Sequence, residues 1–97
     1  MSLTAGQRRA LKAKAHHLKP VVQSGARGVT EALLAEADVA LTAHELIKLR
    51  LAGSEREGRR EAATDIARHL KAEVVDVIGA VVILYRHKDQ PGRKPAS

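Results

Sequence analysis

The residues best placed to do chemistry sit in one short stretch, Ser24-Gly25-Ala26-Arg27-Gly28. Two glycines at this spacing let another backbone approach with no Cβ in the way. Val29-Thr30-Glu31 follows at once and reads as a helix start, whose free amides and dipole favour an anion. Arg27, inside the loop, can fork onto a phosphate, and Lys19 lies a few residues upstream. A GxxG loop beside unopposed cations is what clamping a nucleic-acid backbone requires, as in KH domains. The same residues also suit an ordinary strand-to-helix turn in which glycine only satisfies dihedral angles, so the loop is judged by its surroundings.

Those surroundings are basic. The 97 residues hold 17 Lys and Arg against 11 Asp and Glu, a formal charge of +6, with an isoelectric point near 10.2. Six bases and no acid fall in residues 1–28, and four bases against one acid fall in residues 86–97. The middle is close to neutral, so the excess lies at the two ends and favours a polyanionic partner. Arg8, Arg9, Lys12 and His16, with Lys14 and His17, would give the first helix a basic outer face. A solvated face that keeps a small protein soluble is the plainer reading of such a run. The first 28 residues, however, contain nothing acidic to balance it. Arg56, Arg59 and Arg60 alternate with Glu55, Glu57 and Glu61 and read as ordinary helix-surface pairing.

Composition narrows the chemistry further. One tyrosine, no tryptophan and no phenylalanine argue against single-strand readers that stack bases on aromatic platforms. Any nucleic acid is then held through phosphates, backbone amides and shape. With no cysteine, disulfides, thiolate zinc sites and cysteine nucleophiles are excluded. The five histidines lack the H-x-x-x-H and H-E-x-x-H spacings of metal sites, and His44 suits a helix C-terminus. No nucleophile elbow, Walker lysine or paired acids appear, and Asp76 reads as solvent-facing. We therefore expect no enzyme, no cofactor and no metal. Nothing before Ala15 has signal-peptide character, and the longest apolar run, Val81 to Tyr85, is far short of the ~20 residues of a membrane span. A cytoplasmic monomer is expected, with no membrane partner.

The elements that must position these residues follow from local patterns. Thr4 and Gln7 have capping-box spacing. A helix from about Thr4 to His17 places Leu11, Ala15 and Leu18 on one stripe, and Pro20 stops it. Pro20 to Gln23 is a first strand. A second helix, Glu31 to about His44, turns Leu33, Leu34, Ala37, Ala40 and Leu41 inward. Residues 45–52 alternate, with Ile47, Leu49 and Leu51 on one face and Lys48 and Arg50 on the other, which is either open or covered by helices. Ser54 and Glu57 cap a third helix, 55–71, that buries Ala63, Ile66, Ala67 and Leu70. Strands 73–78 and 81–86 flank Gly79-Ala80, a type II′ hairpin turn. The fold class is α/β, an α+β two-layer arrangement in the order α-β-α-β-α-β-β. Helix-linked strands run parallel and the last strand antiparallel. One domain spans residues 1–88, and residues 89–97 form a flexible basic tail.

Leu18-Lys19-Pro20-Val21-Val22, Gly25-Ala26-Arg27-Gly28-Val29-Thr30, His44-Glu45-Leu46-Ile47-Lys48, Val77-Ile78-Gly79 and Val82-Ile83-Leu84-Tyr85-Arg86 occur here in one order. Together they resemble the CRM domain (chloroplast RNA splicing and ribosome maturation) in its bacterial single-domain YhbY-type form, over about residues 3–88. The resemblance implies a four-stranded mixed sheet related to the C-terminal domain of translation initiation factor 3. It also implies an RNA-binding module of large ribosomal subunit precursors. The family's loop maps onto Gly25, Ala26, Arg27 and Gly28, and its basic surface onto Arg8, Arg9, Lys12, His16, Lys19 and Arg86. The chain departs from the family at Ala80, where a basic residue is frequent, and at Ala26, which leaves Arg27 the only charged residue of the loop. The alternative is an adaptor that docks on an acidic ribosomal protein or assembly factor.

Overall fold

A computed structural model describes residues 3–24, 28–52 and 56–87. The elements are α1 (Ala5–Ala15), β1 (Pro20–Gln23), α2 (Glu31–His44), β2 (Leu46–Arg50), α3 (Arg56–Leu70), β3 (Glu73–Ile78) and β4 (Val81–Tyr85). Each begins where local chemistry dictates. Thr4 caps α1: its hydroxyl accepts the Gln7 N–H at 3.0 Å, and the Gln7 side chain returns to the Thr4 N–H at 2.9 Å. At α2 the Thr30 hydroxyl accepts the Leu33 N–H at 3.1 Å. Gly79 has φ 58 while Ala80 avoids the left-handed region, as a type II′ rather than a type I′ turn requires. The Ser54–Glu57 cap lies outside the described residues.

The strands form one mixed sheet in the order β1-β2-β4-β3. β1 runs parallel to β2, while β4 is antiparallel to both β2 and β3. β4 therefore inserts between the two strands that α3 connects. On one face α2 and α3 pack over Ile47, Leu49, Val82 and Leu84, with Leu41 and Ile66 fully buried among them. Each side chain of this size adds roughly 1.5–3 kcal/mol on burial.

The sheet has helices on both faces, which settles the alternative left open for the Lys48 and Arg50 side. α1 lies on the face opposite α2 and α3, where Ala15, Leu46, Val75 and Ile83 form a second, smaller core. The reason lies in β2, where Leu46 and Ile47 are adjacent and both buried. Neighbouring strand residues point to opposite faces, so both faces need a cover.

Candidate nucleic-acid interface

Ser24 is fixed at the end of β1 by two bonds to the chain that leaves β2. Ser24 is buried; its N–H donates to the Arg50 carbonyl at 2.9 Å and its hydroxyl accepts the Ala52 N–H at 2.9 Å. Gly25, Ala26 and Arg27 lie outside the described residues. Gly28 has φ 76, and a Cβ built there meets nothing within 4 Å. A side chain would thus be strained by the backbone rather than by any described neighbour. Beyond it, Thr30 and the exposed Glu31 start α2.

The basic residues of α1 divide into two sets. Arg9, Lys14 and His16 are exposed, as is Lys19 beyond the helix, and none forms an ion pair with a described residue. Arg8 and Lys12, expected on the outer face, are instead turned toward β3. Arg8 Nη1 donates to the Val74 carbonyl and to that of Val75 at 3.3 Å. Lys12 Nζ lies 2.9 Å from Asp76 Oδ2. β3 has a bulge here, with its register against β4 shifting between Val74 and Asp76. A bulge leaves ladder groups unpaired, and Arg8 supplies the missing donor. Residues 8, 12 and 15 also have the i, i+4, i+7 spacing of a single helix stripe, so Arg8 and Lys12 accompany buried Ala15.

Asp76 is half-buried and paired, not solvent-facing as expected. Burial pushes its carboxyl up. That effect is outweighed by the Lys12 ammonium, the Val77 N–H at 2.8 Å and the charge of Arg60, which hold the pKa below the ordinary 3.8.

Arg86, also expected on the basic surface, is only 7% exposed. Its Nη1 reaches Asp38 Oδ1 at 2.8 Å and the Leu70 carbonyl at 2.9 Å. Its Nη2 reaches the Asp38 carbonyl at 3.0 Å and Thr42 Oγ1 at 2.9 Å. The guanidinium satisfies a last-turn carbonyl of α3, which helix geometry leaves without a partner, and ties α3 to α2. Lys48 is half-buried and Arg50 exposed, so α1 covers only the Leu46 end of that strand face.

One feature escaped sequence reasoning. A groove of about 480 Å³ lies between the C-terminal end of α1, β1 and the start of β2. Its apolar wall includes Leu11, Leu18, Val21 and Tyr85, while Lys14, Lys19, His44 and Glu45 complete the lining. The sequence signal was Leu18 and Val21, apolar residues flanking Pro20, which remain 38% and 54% exposed. Glu45 has φ 65 and ψ −45, a conformation rare for a residue with a side chain. Two bonds hold it there: its N–H donates to the Leu41 carbonyl and its carbonyl accepts the Arg86 N–H, both at 2.8 Å. Burial, and then the Glu45 carboxylate, raise the Tyr85 hydroxyl above its usual pKa of 10.0.

These features describe a small mixed-sheet module with exposed cations on one helix that form no ion pair with a described residue. The CRS1 / YhbY (CRM) domain profile matches residues 3–86, and the chain belongs to that family. It is 44% identical over 89 residues to a Haemophilus influenzae protein named RNA-binding protein, covering 92% of this chain and 90% of that one. A Pseudomonas aeruginosa protein, named Probable RNA-binding protein PA4753, is 39% identical over 93 residues, covering 96% and 89% of the two chains. The solution structure of a Staphylococcus aureus protein, described as a candidate RNA-binding protein, superposes with a TM-score of 0.83 at 30% identity, covering 93% of this chain and 94% of the other.

Proposed function

We propose that this chain is a non-catalytic, cytoplasmic RNA-binding protein that engages ribosomal RNA in large-subunit precursors and assists ribosome assembly. The observation that carries the reading is the set of exposed cations Arg9, Lys14 and Lys19, none in an ion pair with a described residue, placed on a fold whose relatives are named for RNA binding. The ribosomal assignment rests on the family resemblance. The exposed cations supply long-range attraction, and the glycine loop with the α2 amides grips the sugar-phosphate backbone. Arg8, Lys12 and Arg86 are engaged by the protein itself and contribute little.

With Arg27 and exposed Arg50 added, about five phosphates are neutralised, so log K should fall against log salt with a slope of about −3.5 to −4.5. A transcript of large-subunit ribosomal RNA, titrated at several salt concentrations, tests this, and a flat dependence overturns it. Arg27→Asp should weaken binding severely with an unchanged melting temperature. Crosslinking in cells, with sequencing of the bound RNA, tests the ribosomal assignment. A partner that survives complete nuclease digestion would favour a protein adaptor instead.

A further inference from the structure

The groove beside α1 sits at the end of β1 opposite the glycine loop. We propose that it receives an unpaired guanine of the bound RNA, with Glu45 reading the base edge and Lys14 and Lys19 holding the flanking phosphates. This rests on RNA being the ligand and adds a base-reading site to it. Three observations support it. The groove, about 480 Å³, falls within the roughly 300–1,000 Å³ of small-ligand sites. Leu18 and Val21 line it and remain exposed, so they offer a base apolar surface beside the Tyr85 ring. Its charged groups are complementary to a nucleotide: Lys14 and Lys19 for phosphates, and one carboxylate for the base.

The carboxylate selects the base. An ionised carboxylate only accepts hydrogen bonds, so its match is an edge carrying two adjacent donors. Guanine presents N1–H beside its N2 amino group. Adenine and cytosine set one amino donor beside a ring acceptor, and uracil sets its N3–H between two carbonyls. Glu45 is also well anchored, since its left-handed backbone is bonded at both N–H and carbonyl. Backbone strain held in place by its surroundings is concentrated at binding and switch sites. Lys14 and Lys19 favour an anionic occupant, and an acidic peptide would set its own carboxylates beside Glu45, whereas a nucleotide can place base-edge donors there.

The test uses the full chain with fluorescent five-nucleotide RNAs, oligouridylates carrying guanine, inosine, adenine or uracil at the centre, beside a structured ribosomal RNA fragment. The guanine probe should bind about tenfold tighter than the adenine or uracil probe, the size of one good bidentate contact, with inosine, which lacks the amino group, in between. Glu45→Gln, which offers one acceptor and one donor, should erase the preference by weakening the guanine probe about tenfold, to the level of the others, and should weaken the structured fragment by no more than the same factor. Leu18→Glu, at an exposed position, should weaken all four probes alike. Equal binding of the four probes, a preference that survives Glu45→Gln, or no probe binding while the structured fragment binds would each overturn the groove and leave the RNA reading intact. Failure of the structured fragment as well would bring down the RNA reading itself. If Leu18→Glu abolishes a nuclease-resistant protein complex while RNA binding shows no base preference, the groove belongs to a protein.

Discussion

The two faces of the sheet differ in how their helices are attached. Under α2 and α3, thirteen buried apolar residues form one continuous core; under α1 there are four, among the described residues. A helix that covers so little apolar area needs other fastenings, and α1 takes them from its own cations, Arg8 on the bulge carbonyls and Lys12 on Asp76. The basic residues of the helix thus have two separate duties. Those on the β3 flank secure the fold, and those on the outer side remain free for a ligand. Charge counted along the sequence overstates the charge on offer.

The sharpest break in the comparison is expected on the α2/α3 side. Leu41→Ala, at a fully buried position, should destabilise by about 2–5 kcal/mol in denaturant unfolding. Arg86→Leu removes four hydrogen bonds and strands the Leu70 carbonyl; a loss of about 2 kcal/mol is expected, with unchanged RNA affinity in the folded protein.

Neighbouring residues of α1 then separate the two duties directly. Arg8→Ala should cost about 1–2 kcal/mol and speed hydrogen exchange in α1, while leaving the salt slope alone. Arg9→Ala should do the reverse, with stability unchanged and a slope shallower by about 0.7–0.9.

The smallest effect belongs to Lys12 and Asp76, a partly exposed pair worth at most about 1 kcal/mol. Because the Asp76 pKa is lowered in the folded protein, its contribution is complete above the ordinary value of 3.8 and fades as the pH falls through the folded value. Asp76→Asn should flatten that acid-side loss in a melting series between pH 2 and 5.

The sequence made most of the fold legible because its signals are local. The Thr4–Gln7 capping box, the Thr30 cap, the Gly79 turn and the alternation through Ile47, Leu49 and Leu51 each depend on residues a few positions apart. Arg8, Lys12 and Arg86 were misplaced for the opposite reason. Their partners, the bulged carbonyls of β3, Asp76, and Asp38 with the end of α3, lie 16 or more residues away in the chain. A bulge that reorients one strand leaves no local pattern. The groove was hidden likewise, because Leu18, Glu45 and Tyr85 meet only after three strands have paired.

The bulge in β3 has one more consequence. β1 and β3 are the outer strands of the sheet, and an outer strand with unpaired backbone groups is a template onto which another chain can add, the first step toward aggregation. β3 is protected by its kink and by the Arg8 guanidinium seated on its carbonyls. β1 is only four residues long and opens with Pro20, which has no N–H to offer an incoming strand. Both borders of the sheet are therefore poor templates for edge-to-edge addition of another strand.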